Sequence, residues 1–265
     1  MRNGSFILKE VPFMSKIGKY LGVTFVVSWL LWGSVAIFSR LGIKFMTFGS
    51  PIGTLLYVLG GVSPAICEIV LKKKSGSKEE FKSFLKSIVN PKHSIWMYVY
   101  AIGGAMAIQA IPVLFHLSEV KQPLYVGFLM IIPMIIGGGV EEIGWRGLLQ
   151  PQLEEKYPHI VAAISVGIIW AVWHLPLWFI DGTNQQNLSF AWFCINTIML
   201  SFFIGSVTYV SKSIFMAIIA HASINAFWEV MAATDKMIPS IILMFGVIIV
   251  TMVIDYLFER KERKS

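Results

Sequence analysis

The chain has 265 residues, of which 56% are hydrophobic and only 14% are charged. An ordinary soluble domain carries about 25% charged residues, so the composition excludes a water-soluble protein and indicates an integral membrane protein. The net charge of +7 would suggest a nucleic-acid partner in a soluble protein, but the cytoplasmic Lys and Arg of membrane proteins account for it here, and we expect no such partner.

Apolar segments of about 20 residues recur along the chain, and each is long enough to cross a bilayer core as a helix. Since they lack the period-2 alternation of barrel strands, we predict an all-α, polytopic transmembrane bundle of about eight spans. We treat residues 1–265 as one integral membrane domain with a motif-bearing core at 124–231. The predicted spans are Tyr20–Phe38, Ile52–Leu71, Ile95–Phe115, Leu124–Gln150, Ile160–Ile180, Leu188–Val210, Ile214–Met231 and Ile238–Phe258.

The basic residues between these spans predict the orientation of the chain in the membrane. With the N-terminus inside, 17 of the 22 Lys and Arg residues lie on the inner side, four lie outside and Arg146 lies within the fourth span. By the positive-inside rule this asymmetry predicts that both termini are cytoplasmic. We expect the cell membrane of a prokaryote as the location, and a monomer.

Residues 72–92 form the one sizeable loop between spans, and its pattern is that of a basic amphipathic helix. Phe81, Phe84, Leu85 and Ile88 recur at helical spacing with lysines between them. Such a helix lies on the inner membrane surface, where its lysines bind anionic lipid. A role in docking substrate remains the alternative.

The fourth span contains two adjacent carboxylates, Glu141 and Glu142, and a nearby Arg146. Ionisable groups inside a span cost several kcal/mol, so each indicates a function or a partner. Glu142 and Arg146 are i,i+4 neighbours on a helix and can form an ion pair. Glu141 lies about 100° around the helix from that pair and remains available as a base.

The fifth and seventh spans supply further polar groups. His174 follows Trp170 by one helical turn, and on the seventh span His221 and Asn225 share one face, with Glu229 a further turn along it. Each group alone has an ordinary explanation, a contact between helices or a position near the interface.

A hairpin between the fourth and fifth spans brings two of these residues to the same level. Glu141 precedes Pro158 by 17 residues and His174 follows it by 16. If the chain turns there, with the tip in the cytoplasm, the two side chains lie at equal depth.

Three motifs in this order resemble the CAAX-protease and bacteriocin-processing family of intramembrane endopeptidases. Its EExxxR motif is present at Glu141–Arg146, its FxxxH motif at Trp170–His174 with tryptophan in place of phenylalanine, and its HxxxN motif at His221–Asn225. The resemblance implies that Glu141 and His174 activate a water molecule to hydrolyse a peptide bond. It also implies that His221 and Asn225 form the oxyanion site, and that Glu142 and Arg146 support the catalytic helix.

The resemblance leaves the cofactor and the substrate open. The resemblance to the CAAX-processing members of the family favours a metal-free, glutamate-dependent site, and it agrees with the absence of an HExxH sequence and with Asn225, which is a poor zinc ligand. If zinc binds, its ligands would be Glu141, His174 and His221. The substrate would be a peptide or a lipidated protein in the membrane, and the prenylated CAAX type is one candidate. The alternatives are a non-catalytic bacteriocin-immunity or scaffolding protein and, less favoured, a proton-coupled transporter.

Overall fold

A computed structural model describes residues 13–232, 234 and 236–263, and Arg2, Lys9 and Lys264 of the predicted inner charges lie outside the described residues. The described residues form eleven helices. These are α1 (Phe13–Arg40), α2 (Pro51–Gly61), α3 (Ser63–Ser75), α4 (Lys78–Ile88), α5 (Ile95–Leu114), α6 (Leu124–Ile136), α7 (Gly139–Glu154), α8 (His159–Trp173), α9 (Phe190–Ser211), α10 (Ile214–Val230) and α11 (Met237–Glu262).

The length and apolar composition of these helices confirm a multi-pass, all-α membrane protein. Five helices (α1, α5, α8 with the 3-10 turn that follows it, α9 and α11) are each long and apolar enough to cross a bilayer, and two bent pairs, α2–α3 and α6–α7, can each form one more span. The described residues therefore contain five to seven candidate spans where eight were predicted. The place of the remaining predicted span is taken by α10, a shorter apolar helix of 17 residues.

Two predicted spans differ from the structure in their continuity. The second span bends by 53° between α2 and α3, and the fourth bends by 45° between α6 and α7. The fifth span extends from His159 to Phe179, close to the prediction, although its residues after Trp173 form a 3-10 turn rather than α-helix. Each bend coincides with a residue that interrupts regular helical hydrogen bonding. These residues are Pro64, in the first turn of α3, and Gly138, just before α7.

Helices α9 and α10 form the centre of the bundle. Helix α9 packs between α8 and α11, while α10 packs along α6 and also contacts α5 and α9. Most side chains of α10 from Met216 to Phe227 are buried, so its polar groups lie inside protein rather than against lipid. This placement is what brings the seventh-span motif into the interior.

The lysine-rich segment at 72–92 contains two helices where one was predicted. Lys72, Lys73 and Lys74 belong to the last turn of α3, and the amphipathic helix is α4. Its start is fixed by a capping box, in which Ser77 and Glu80 satisfy each other's backbone N–H groups. Phe84 and Ile88 of α4 pack against a small buried cluster of Ala65, Ile143 and Ile218.

Candidate active site

An interruption of the helix at Gly138 determines where the EExxxR motif lies. Gly138 has φ of +152°, a conformation that side chains with a Cβ rarely adopt, and it separates α6 from α7. Helix α7 then begins with a 3-10 turn, Gly139–Glu141, and contains a π-helical turn, Trp145–Leu149. Such irregular turns often occur at functional sites. They rotate Glu141 and Glu142 into the bundle, where both are buried.

Glu142 is the centre of a buried ionic network. The predicted pair with Arg146 is present, with 3.0 Å between Oε2 and the guanidinium. Arg146 also donates to the backbone carbonyl and the hydroxyl of Ser201 on α9. The other carboxylate oxygen of Glu142 lies 2.7 Å from Nδ1 of His221. Sequence reasoning missed this last contact, which joins the first motif to the third.

Glu141 is outside that network and is held by two indole groups instead. Its Oε2 accepts a hydrogen bond from Nε1 of Trp170 at 2.9 Å and a longer one from Nε1 of Trp145 at 3.4 Å. The motif comparison did not predict this contact for the tryptophan that stands in place of phenylalanine at position 170. The signal that could have indicated it was the indole N–H itself, which phenylalanine lacks.

His174 lies within the fifth span, at the residue where α8 ends and the 3-10 turn begins, and it is the C-cap of α8. Its Nδ1 is 2.8 Å from the carbonyl oxygen of Trp170. Because a carbonyl oxygen can only accept, Nδ1 carries the proton and Nε2 keeps a free lone pair. The rings of Trp32, Trp170 and Phe193 surround the imidazole.

His221 and Asn225 lie one turn apart on α10, as predicted, and both approach the glycine break. A Cβ at Gly138 would lie 2.9 Å from Nε2 of His221 and would also collide with the Asn225 amide. The Asn225 amide nitrogen donates to the Gly137 carbonyl at 3.1 Å. Glycine at 138 therefore keeps open the space in front of both side chains.

One cavity of about 290 Å³ brings the predicted site residues together. Glu141, His174, His221 and Asn225 all line it, and Glu229 lies on its wall as well. Glu142 and Arg146 are not among its lining residues, which fits a supporting position behind the site. The remaining lining residues were not predicted, and they include the polar side chains of Asn184, Gln185, Asn196 and Thr197 and the aromatic side chains of Trp32, Tyr57, Trp192, Phe193 and Trp228.

The donor set does not form a metal centre. Within the part of the chain that the structure describes, no three His, Cys, Asp or Glu side chains are grouped so that they could hold a metal ion. Oε2 of Glu141 accepts hydrogen bonds from two indole N–H donors. We therefore derive no catalytic step through zinc.

The fold and the site together define a class of protein. A polytopic helical bundle encloses a carboxylate, two histidines and an amide around a single cavity, without a serine or cysteine that contacts either histidine among the described residues. Ionisable side chains that converge on one cavity inside a membrane bundle are typical of a functional site, and they define the class of membrane proteins with a polar interior site.

Comparison with known proteins agrees with this class. The family model described as "Type II CAAX prenyl endopeptidase Rce1-like" matches residues 123–227, a range that contains all three motifs. The chain is also 27% identical over 235 residues to the protein named CAAX prenyl protease 2 of Methanococcus maripaludis, and the match covers 82% of this chain and 85% of that protein. These matches confirm the resemblance to the CAAX-protease family and support a CAAX-type peptidase.

Proposed function

We propose that this protein is an intramembrane endopeptidase that hydrolyses a peptide bond of a membrane-associated substrate, with Glu141 as the general base. The observation that carries the proposal is the orientation of Glu141. Two indole N–H groups hold one carboxylate oxygen, and the side chain lines the same cavity as His174, His221 and Asn225. Oε1 is thus the oxygen available to a water molecule.

The proposed reaction begins when that water attacks the carbonyl carbon of the scissile peptide bond. Glu141 accepts the proton, and Nε2 of His174, with its free lone pair, accepts a hydrogen bond from the same water and orients it. When the C–N bond breaks, the proton passes from Glu141 to the leaving nitrogen. The products are a carboxylic acid and an amine, which become a carboxylate and an ammonium group when the acid proton passes to the amine, and the enzyme is unchanged.

The developing oxyanion would bind beside Gly138, where His221 and Asn225 face the cavity. Nδ1 of His221 lies 2.7 Å from the Glu142 carboxylate, which fixes the ring so that Nε2 faces the space beside Gly138. Asn225 would donate its second amide hydrogen. Glu142 and Arg146 act through His221 and are positioning residues.

We propose that the site works without a metal ion, because an amide completes the donor set and Glu141 is already bound by indole N–H groups. Metal analysis of the purified protein, with activity before and after exhaustive chelation, tests this. Stoichiometric zinc with a chelator-sensitive activity that zinc restores would contradict it.

We also propose that the protein lies in the cell membrane of a prokaryote with both termini in the cytoplasm, and that it acts as a monomer. The asymmetry of 17 inner against four outer basic residues supports the orientation. A membrane-bound peptide or a lipidated protein is the proposed substrate. Because the relative from Methanococcus maripaludis is named CAAX prenyl protease 2, a prenylated CAAX protein is one candidate.

The decisive experiment compares peptide termini in membranes from cells that express wild type or Glu141→Gln. We expect wild-type membranes to contain new termini that are absent from the variant, since loss of a general base typically costs about 10²–10⁴ in rate. The matched control is Glu79→Gln, which removes an exposed carboxylate of α4 and is expected to process the same peptides. Identical termini in all three samples would contradict the proposed function.

A further inference from the structure

The candidate active site lies near one end of the bundle. His174 follows the last residue of α8, about 22 Å from the start of that helix at 1.5 Å per residue. Trp32, which stacks on His174, is eight residues from the end of α1 and 19 from its start, or about 12 Å and about 28 Å. The cavity is therefore closer to the end where α1 and α8 stop.

Connecting segments at this same end form the mouth of the cavity. Asn184, Gln185 and Leu188, from the connection between α8 and α9, line it directly. The neighbouring connections meet around them: Ser39 at the end of α1 bonds Asp181, Val120 pairs with Met231, and the Trp192 indole bonds the Thr234 carbonyl. We call this end, with residues 41–50, 115–123, 181–189, 231–232, 234 and 236, the mouth end.

The opposite end carries most of the positive charge, and we call it the basic end. It is held together by contacts such as Lys212 over the rings of Tyr209 and Phe258, and the stacking of His93 on Phe215. The described basic residues at this end are Lys16, Lys19, Lys72, Lys73, Lys74, Lys78, Lys82, Lys86, Lys92, Lys156, Lys212, Arg260, Lys261 and Arg263. At the mouth end they are Arg40, Lys44, Lys121 and Lys236.

The positive-inside rule predicts which end of the bundle faces the cytoplasm. Lys and Arg residues close to the ends of spans remain in the cytoplasm, so the basic end is cytoplasmic and the mouth end is extracytoplasmic. Lys72–Lys74 and α4 strengthen the assignment, because a basic amphipathic helix is attracted to the anionic lipid of the inner leaflet.

We propose that the active-site cavity opens on the extracytoplasmic side of the membrane, so that the substrates are peptide segments presented from the outer leaflet or after export. This inference deepens the proposed function. The statement about substrates rests on the proposed peptidase activity, whereas the orientation of the cavity rests on geometry and charge alone. It predicts that a prenylated protein confined to the cytoplasmic leaflet cannot reach Glu141 in intact cells.

Labelling of single cysteines tests the orientation independently of activity. The two natural cysteines, Cys67 and Cys194, are free and can be replaced by alanine. Asn184→Cys then measures the accessibility of the cavity mouth, and Asn187→Cys measures that of the same connection at a residue that does not line the cavity. Lys82→Cys measures the accessibility of α4. The natural residues at all three positions are exposed. Intact cells receive a membrane-impermeant maleimide before or after permeabilisation.

We expect Asn184→Cys and Asn187→Cys to react in intact cells and Lys82→Cys to react only after permeabilisation. The reverse pattern, or no labelling of either mouth position before permeabilisation, would overturn the proposal. The peptide-terminus comparison for Glu141→Gln separates the two ideas. Outer labelling without any change in termini contradicts the peptidase and leaves the orientation, whereas changed termini with the reverse labelling contradict the orientation alone.

Discussion

Trp170 donates its indole N–H to the Glu141 carboxylate across 2.9 Å, and it does so from the motif position at which the family pattern has phenylalanine. The same residue offers its backbone carbonyl to Nδ1 of His174, and its ring lies 5.1 Å from that of His221. One tryptophan therefore contacts the proposed base and both histidines. Substitution of Trp170 by phenylalanine removes the indole N–H but keeps an aromatic ring, so it tests the hydrogen bond separately from the packing.

We expect Trp170→Phe to fold normally and to lower kcat by roughly tenfold, since a hydrogen bond to a charged group contributes about 1.5–3 kcal/mol and Trp145 retains part of it. KM should change little, because the lost contact orients the base rather than the substrate. Trp178→Phe is the matched control, as it removes an indole donor that bonds the Leu188 carbonyl. An unchanged kcat in Trp170→Phe would show that the indole contact has no role in catalysis.

The space that Gly138 leaves in front of His221 and Asn225 can be filled by a single methyl group. We expect Gly138→Ala to lower activity by about 10² or more, because the added Cβ would occupy the proposed oxyanion site and because φ of +152° strains any residue but glycine. Gly246→Ala on α11 is the control, since nothing lies within 4 Å of a Cβ there. Rates are measured on equal amounts of detergent-purified, monodisperse protein. Full activity in Gly138→Ala would place the oxyanion elsewhere.

Asn225 is proposed to stabilise charge only in the transition state. Asn225→Ala should therefore lower kcat by about 10²–10³, the usual cost of one oxyanion donor, and leave KM nearly unchanged. Steady-state kinetics on a peptide in defined detergent measure both constants. Asn187→Ala changes an exposed amide of the mouth end and should behave as wild type. A rise in KM at constant kcat would instead assign Asn225 to substrate binding.

The ion pair between Glu142 and Arg146 is fully buried, so its two charges are expected to depend on each other strongly. Arg146→Met should destabilise the protein by about 3–5 kcal/mol, because it leaves an uncompensated carboxylate in the interior. Adding Glu142→Gln should recover part of that loss. Thermal unfolding of both single variants and the double variant in one detergent measures the coupling.

The two single variants and the double variant of Glu142 and Arg146 form a double-mutant cycle, and an exposed pair with the same i,i+4 spacing supplies its control. Glu259 and Arg263 on α11 form an ion pair with partly exposed side chains, and exposed pairs contribute about 0–1 kcal/mol. Their cycle should give almost no coupling energy. Equal coupling in the two cycles would mean that Glu142 is not held in a low-dielectric interior by Arg146.

Much of this architecture could be predicted because it depends on local spacing. Apolar runs near 20 residues determine that the chain crosses a membrane as helices, and the four-residue separation of Glu142 and Arg146 determines their ion pair even across irregular turns. The predicted orientation in the membrane likewise depends only on which connections between spans carry the Lys and Arg residues, and the sequence gives this directly. The breaks at Val62 and Gly138 were harder to predict, since a membrane helix tolerates glycine and proline when neighbouring helices satisfy its backbone.

Only the tertiary structure decided which partners the motif residues take on other helices. Glu142 bonds His221 across 79 positions, and Trp170 bonds Glu141 across 29. Such contacts depend on the rotation and tilt of packed helices, and the 53° and 45° bends change both in ways that a regular 3.6-residue period does not describe. The sequence by itself determined a membrane bundle with three polar motifs, whereas packing determined that Glu141 faces the cavity while Glu142 supports His221 from behind.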